Sequence, residues 1–307
     1  MKHVKLMALL LAVGLTACSS DDEAERGLLP EDSSNLKQRP LFSDDSQAQR
    51  LITVEVEETP MTDTSAPEEE KMETRATATT TSTLAAFSMN YQGNKYYFKK
   101  TGTGWDSFTW PDVSNSQKID FYAYTHGTFY YNDGNPYLNF TVDELAPDQH
   151  DLLVAEHKQI AYSDAGGRVS LSFNHACAAI QFKIGQSQTL ANKSVTFNSI
   201  TLVDVYKSGK YYYNQTPAWQ EQSGNAYYTL EDASSISIPV STKTHDNARL
   251  LNCGCLFMIP QAHSNAIIRI GYNTNKTADI SLGPINWEAG KLYTISIRLG
   301  TKTILTE

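Results

Sequence analysis

The chain has 307 residues, enough for one large domain or for two ordinary domains that each have a core. Its formal net charge is −9, and residues 18–75 carry 16 acidic and 6 basic side chains, against 18 and 17 in residues 76–307. Residues 76–307 therefore have almost no net charge and no excess of Lys and Arg that could bind phosphates. We exclude nucleic acid as a partner for this reason. The 17 Tyr residues and the absence of long helical periodicity after residue 25 favour an all-β protein.

Residues 1–17 have the pattern of a signal peptide. Lys2 and Lys5 precede the apolar run LMALLLAVGL, which is too short to span a bilayer permanently. The next residues, Leu15-Thr16-Ala17-Cys18, resemble a bacterial lipoprotein box, in which the Cys18 thiol takes a diacylglycerol. A chance cysteine after an apolar run is the alternative. We predict an acidic tether over residues 18–50, whose first residues are either a surface-export signal or a solvated spacer.

The stretch 51–75 joins a strand to a linker. Ile52, Val54 and Val56 alternate with Thr and Glu, which predicts a strand over 51–57 with one apolar face. The residues after it are rich in Pro, Thr, Ser and Glu, bury too little apolar surface to fold, and end at Arg75. We therefore predict that a protease cuts between Arg75 and Ala76 and that the strand is removed. Arg75 could instead be an ordinary linker charge, and three other arginines are rival sites: Arg26, Arg39 and Arg50.

After residue 83 the pattern is one of short strands separated by turns. Gln92-Gly93-Asn94 and Asn132-Asp133-Gly134 predict tight turns, and Ser208-Gly209 predicts the turn of a further strand pair. A break at 174–177 predicts a bend or bulge within one long strand. The strand spacing is typical of β-sandwiches, and we divide the chain into an N-terminal domain over 76–185 and a C-terminal domain over 186–307.

No arrangement of residues indicates catalysis or a metal site. His175 lies at the break in an apolar strand and is predicted to be a hydrogen-bonded structural histidine, while Asp151, Glu156 and Asp164 are scattered and establish no acid–base pair. The sequence contains no phosphate-binding loop, HExxH motif or nucleophile elbow. We predict no enzyme activity, no metal and no cofactor. Three cysteines remain besides Cys18, namely Cys177, Cys253 and Cys255. Their odd number excludes a complete set of intramolecular disulfides, and no second ligand pair at zinc-like spacing accompanies Cys253 and Cys255. We predict that all three are buried thiols.

Aromatic side chains occur in clusters along the strands. They could form a platform on which sugar rings stack, or they could fill the sandwich cores and cover one surface. The clusters are Tyr96-Tyr97, Tyr130-Tyr131, 211–213 and Tyr227-Tyr228, together with Trp105, Trp110 and Trp219.

Several short segments follow one another in a characteristic order. Besides the lipoprotein box and Thr74-Arg75-Ala76, they are IDFYAY at 119–124, DLLVA at 151–155, LSFNHA at 171–176, IPQ at 259–261 and WEAGKLYT at 287–294. Together they cover nearly the whole chain beyond residue 70 and resemble the FimA-like and Mfa-like fimbrillins, the subunits and tip proteins of type V pili. The resemblance implies two tandem β-sandwich domains, transthyretin-like or Greek-key, after a disordered lipoprotein leader.

The resemblance also implies a function in cell adhesion. A precursor exported to the outer membrane by its lipid on Cys18 is cut by an Arg-specific protease between Arg75 and Ala76, and the strand 51–57 leaves. The groove then accepts a strand from another pilus subunit, because the emptied groove exposes unpaired backbone groups and apolar surface. The tail 301–307 is a short donor and favours a tip or accessory subunit that accepts a strand, with a host or bacterial surface ligand as a further partner. The alternative is a monomeric surface lipoprotein that binds glycans.

Overall fold

The fold is described from a computed structural model. It describes residues 50–64, 84–186, 196–231, 249–250, 254–273, 276–299 and 305–306. The predicted signal peptide and most of the predicted tether and linker lie outside the described residues. The same holds for Cys18, Arg75, Ala76 and Cys253, so the processing sites stay predictions.

Most of the described residues are in strands and very few are helical, which confirms the all-β prediction. The strands are β1 (Leu51–Glu58), β2 (Thr62–Asp63), β3 (Ala86–Tyr91), β4 (Asn94–Thr101), β5 (Gly104–Trp105), β6 (Phe108–Thr109), β7 (Ile119–Tyr124), β8 (Thr128–Asn132), β9 (Asn135–Thr141), β10 (Leu153–Ile160), β11 (Arg168–His175), β12 (Ala178–Gln186), β13 (Phe197–Tyr212), β14 (Trp219–Glu231), β15 (Arg249–Leu250), β16 (Leu256–Met258), β17 (Gln261–Tyr272), β18 (Lys276–Trp287), β19 (Lys291–Leu299) and β20 (Leu305–Thr306). Among the described residues, a helical turn, α1 (Tyr162–Ala165), and a 3-10 turn (Ala146–Asp148) lie between these strands. No described helix is long or apolar enough to cross a membrane.

The first sheet has eight strands in the order β5-β4-β3-β7-β10-β11-β1-β6. It folds over on itself, because the Phe108 ring of β6 lies 5.8 Å from Phe98 of β4 and 5.6 Å from Phe121 of β7. These edge-on ring contacts are favourable beyond the area that they bury. The layers enclose one core, which includes Ile52, Val54, Phe87, Met89, Phe98, Phe108, Phe121, Val169, Leu171 and Phe173.

A second core lies between two six-stranded sheets. One has the order β15-β12-β19-β2 with β16 on β12 and β20 on β19, and the other has the order β18-β17-β13-β9-β8 with β14 on β13. Inward residues of both sheets share one buried cluster, among them Phe182, Ile184, Ile297, Leu202, Tyr228 and Ile268. The chain therefore contains tandem β-sandwiches, as predicted.

Some strands of the N-terminal half belong to the sheets of the second sandwich. The hairpin β8–β9 pairs with β13, and β12 pairs in parallel with β19 from Ala179↔Leu292 to Gln186↔Leu299. Both therefore join strands of the C-terminal half, although both begin before residue 186. Sheet pairing does not follow the predicted division at residue 185, and the domain bounds stay a prediction.

Two of the three predicted turns are present. Gln92 and Gly93 have φ of 42° and 83°, and Asp133 and Gly134 have φ of 48° and 79°. Positive φ at both central residues is the signature of the type I′ hairpin turn, which matches the twist of the flanking strands. These turns join β3 to β4 and β8 to β9.

The predicted turn at Ser208-Gly209 is wrong, because β13 continues through both residues. A Cβ at Gly209 would lie 3.3 Å from Cε3 of Trp219 on the neighbouring strand β14. The glycine therefore makes room for a ring within the sheet instead of reversing the chain.

The break at 174–177 is a change of sheet and not a bulge within one strand. β11 ends at His175 in the first sheet, and β12 begins at Ala178 in a sheet of the second sandwich. Between them the Ala176 N–H donates to the Leu152 carbonyl, and the Gly290 N–H donates to the Cys177 carbonyl.

Candidate strand-acceptor site

The first strand lies inside the first sheet. β1 pairs in parallel with β11 from Thr53↔Arg168 to Glu58↔Phe173. On its other side, only Leu51 and Ile52 pair with a described strand, the two-residue β6. Over most of its length β1 is therefore bound to one described neighbour, as an edge strand is.

The inward face of β1 completes the first core. Ile52 is 0% exposed and Val54 is 3% exposed, while Val56 is partly buried against the same core. Thr53, Glu55 and Glu57 point outward and are exposed. The structure therefore brings together the three residues predicted for the removable strand, with burial that decreases toward its C-terminal end.

Arg50, just before β1, binds to the loop that follows β6. Its guanidinium donates to the carbonyls of Pro111 and Val113 at 2.9 Å each, and to Oδ1 of Asn115 at 2.8 Å. The same guanidinium stacks over the Tyr162 ring at 5.3 Å. Because charge-assisted hydrogen bonds to several acceptors are strong, this arginine is fixed in place. Its guanidinium is therefore held by the body of the protein at the start of β1.

The chain after β1 passes from the first sandwich to the second. The Thr59 N–H donates to the Phe173 carbonyl of β11 at 2.8 Å. Then β2 pairs in parallel with β19, and the buried Met61 packs against Ala179 and Leu292. The segment 51–64 therefore contacts both sandwiches, and its contacts extend beyond the strand 51–57 that the sequence predicts.

A buried polar cluster lies at the point where the segment changes sandwich. The Nδ1–H of His175 donates to the carboxylate of Asp151, and both side chains are almost fully buried. Nε2 of His175 lies 3.8 Å from Oε1 of Glu58, the last residue of β1. Burial raises the pKa of Glu58, and the charge of His175 opposes this with a smaller effect. Burial likewise raises the pKa of Asp151, against its hydrogen bond with His175.

The sequence missed this cluster because its members are far apart in the chain. His175 was predicted to be a hydrogen-bonded structural histidine, and its contact with Asp151 has that character. The buried Cys177 is near the same carboxylate, and burial raises the pKa of its thiol. Glu58 lies an even number of residues after Ile52 and Val54, so its side chain faces the same side of the strand. This alternation is the one sequence signal that could have placed Glu58 in the cluster.

Outside this cluster, the described residues include free thiols and a stacked histidine pair. No cluster of three or more His, Cys, Asp and Glu side chains able to hold a metal ion occurs among the described residues. The described cysteines Cys177 and Cys255 are free thiols. His126 and His150 stack at 4.5 Å beside an open cavity of about 190 Å³, which Asp143 also lines.

The aromatic clusters divide between the cores and the surface. Trp110, Trp219 and Tyr228 are buried, while Tyr97, Tyr130, Tyr131 and Tyr227 are at least 39% exposed. One surface group is continuous: Tyr137 of β9 lies 5.2 Å from Tyr130 of β8 and 5.2 Å from Tyr212 of β13.

Comparison with known proteins gives one family and one fold. A family profile described as fimbrillin-like matches residues 58–307. A fimbrial protein from Bacteroides vulgatus is 17% identical, with a TM-score of 0.54, and the match covers 84% of this chain and 97% of that one. A proposed cell adhesion protein from Bacteroides ovatus is 13% identical, with a TM-score of 0.55 and coverage of 85% and 96%. No curated protein sequence matches the chain.

Proposed function

Because the chain belongs to the fimbrillin-like family, a family of structural and adhesion proteins of the cell surface and not of enzymes, we propose that it is a pilus subunit or tip adhesin assembled by strand exchange. The precursor is exported as a lipoprotein through Cys18 and held at the outer membrane. An Arg-specific protease cuts between Arg75 and Ala76, the first strand departs, and a strand of another subunit takes its place in the fimbrium.

The observation that carries this proposal is the position of β1. It supplies Ile52 and Val54 to a core that otherwise belongs to the rest of the chain, yet along most of its length β11 is its one partner among the described strands. Removing it exposes a parallel ladder edge and an apolar slot, both of which are costly in water. An incoming strand with the same alternation would restore both, which is β-augmentation.

Arg50 supports the choice of Arg75 over one of its rivals. Three hydrogen bonds and a stacked tyrosine hold the Arg50 side chain, so a protease would have to unfold the entrance of the strand to cut there. A cut after Arg50 would also leave β1 attached to the body, whereas a cut after Arg75 frees it. Only the second cut empties the groove.

Limited digestion of the purified chain with an Arg-specific protease tests the proposal. We expect mass spectrometry to find cleavage between Arg75 and Ala76, and size-exclusion chromatography to find oligomers or capture of an added strand peptide afterwards. Arg75→Ala should prevent cleavage and assembly, while Arg39→Ala should leave both unchanged. A cut chain that retains residues 51–75, forms no assembly and accepts no peptide would contradict strand exchange.

A second candidate, glycan binding, is favoured by one observation. Tyr130, Tyr137 and Tyr212 form a row of neighbouring rings on one sheet surface. Tyr130 stacks on Tyr137, Tyr212 is tilted by 35° against it, and the ammonium of Lys210 lies 5.2 Å from the centroid of the Tyr137 ring. Such rings offer flat apolar faces that stack on sugars. On a polysaccharide array, Tyr130→Ala should abolish binding, whereas Tyr97→Ala, on a side chain of similar exposure outside the stack, should not. Absence of binding by the uncut chain would dismiss this candidate.

A further inference from the structure

The groove that holds the first strand is apolar at one end and polar at the other. Ile52, Val54, Val56 and Glu58 are alternate residues of β1 and face the same side. The first three contact the core, and the fourth reaches the His175–Asp151 pair. An inward carboxyl at the end of an otherwise apolar face is unusual, because burying a polar group is costly unless it has a partner.

The partner of Glu58 is oriented by the body of the protein and not by the strand. Asp151 lies just before β10 and His175 ends β11, so both remain when residues 51–75 leave. With Nδ1 of His175 bound to Asp151, Nε2 faces the groove, 3.8 Å from Oε1 of Glu58. At this distance the two groups are close enough to attract each other electrostatically, although they do not make a direct hydrogen bond.

Other groups near Glu58 also belong to the body. A hydrogen bond from the backbone of Leu84 and the charge of Lys100 act on its carboxylate, and Asp151 opposes them through its own negative charge. If β1 departs, His175 and the Leu84 backbone lose the group that they share. A buried polar group without a partner costs roughly 1–3 kcal/mol, which is a factor of about 5 to 150 in binding.

We infer that the His175–Asp151 pair is a polar subsite of the groove, which selects a carboxyl or carboxamide side chain two positions after the last inward apolar residue of the occupying strand. This rests on the proposed strand exchange. Carboxyl and carboxamide groups can each donate to or accept from Nε2, whereas an apolar side chain can do neither. The fitting strand therefore has three alternate apolar residues followed, at the next inward position, by Glu, Asp, Gln or Asn.

Peptide binding to the emptied groove measures this selectivity without changing the body of the protein. The probe is a labelled peptide with the sequence of residues 50–64, added to chain cut after Arg75 and freed of its own strand. We expect Glu58→Leu in the peptide to weaken binding at least tenfold and Glu58→Gln to weaken it less than about threefold. Glu57→Leu is the matched control, because its side chain points outward, and it should bind as the native peptide does.

The same substitutions in the uncut chain separate the subsite from the exchange. Glu58→Leu should lower the thermal midpoint more than Glu57→Leu does, and Glu58→Gln should restore most of the difference. The native peptide could fail to bind while the thermal midpoints of the uncut variants still follow this order. That result would contradict strand exchange and the selection of a foreign strand, but it would support the contact of Glu58 with His175. If Glu58→Leu equals Glu57→Leu in both measurements, the subsite is overturned even where strand exchange succeeds.

Discussion

The backbone N–H of Thr62 donates a hydrogen bond to the carbonyl of Gly290 at 2.8 Å, beside β19 in the second sandwich. Only three residues earlier, Thr59 donates to Phe173 in the first. The segment that carries the first strand is thus bonded to both sandwiches. Its proposed removal would expose surface on both, and an incoming strand that reaches only one would leave Met61's contacts with Ala179 and Leu292 unfilled.

Ile52 should dominate the contribution of β1 to stability. Its side chain is 0% exposed, so Ile52→Ala leaves a cavity and should lower the free energy of unfolding of the uncut chain by about 3 kcal/mol. Thr53→Ala, on the exposed face of the same strand, should change it by less than about 0.5 kcal/mol. Urea denaturation measures both, and equal effects would mean that β1 does not occupy the core.

Arg50 should stabilise the uncut chain far more than an arginine in a surface pair. Arg50→Met removes three hydrogen bonds and leaves the carbonyls of Pro111 and Val113 without this donor, for a loss of about 2 kcal/mol. Arg168→Met, which breaks an exposed ion pair with Glu55, should cost less than about 1 kcal/mol. Arg50→Met should also speed the release of the strand from cleaved chain. Similar losses for the two variants would contradict this assignment.

Gly209 should not tolerate a side chain. A Cβ there would lie 3.3 Å from Cε3 of Trp219 and 3.4 Å from Cγ of Gln222, so Gly209→Ala should destabilise the protein by about 1–2 kcal/mol. At Gly104 a Cβ would have nothing within 4 Å, and Gly104→Ala should be neutral within about 0.5 kcal/mol. Denaturation followed by tryptophan fluorescence reports on both, and a stable Gly209→Ala protein would contradict the close packing.

His126 should make the protein less stable as the pH falls below neutrality. Burial, with a smaller contribution from the stacked His150, lowers the pKa of His126 from 6.5 to about 4. Because folding then favours the neutral imidazole, its contribution is complete above pH 6.5 and is lost as the pH falls toward 4, by up to about 3 kcal/mol.

His126→Asn should flatten the stability profile in that range. His157→Asn is the control, since Nδ1 of His157 contacts the Ser170 carbonyl at an exposed position, as Nδ1 of His126 contacts the Asp151 carbonyl at a more buried one. Thermal midpoints between pH 4 and pH 7 measure the difference. An unchanged slope in His126→Asn would assign the acid sensitivity to other groups.

Local patterns predicted much of the strand inventory and the inner face of β1. The period of two in residues 51–57 depends only on neighbours in the chain, and so do the paired positive φ values that Gln92-Gly93 and Asp133-Gly134 adopt. Gly209 shows where local reasoning fails. A glycine between alternating segments predicts a turn, but here the ring of Trp219, brought alongside by strand pairing, requires it.

The sequence by itself determined that the chain is all-β and that Ile52, Val54 and Val56 share one face, because alternation and turn chemistry act over a few residues. It also carried enough ordered segments to indicate the fimbrillin family. Only the tertiary structure decided that β1 pairs with β11, that β12 joins the second sandwich, and that Glu58, Asp151 and His175 meet. These relationships join residues far apart in the chain, and the energy that selects them comes from the packing of whole sheets.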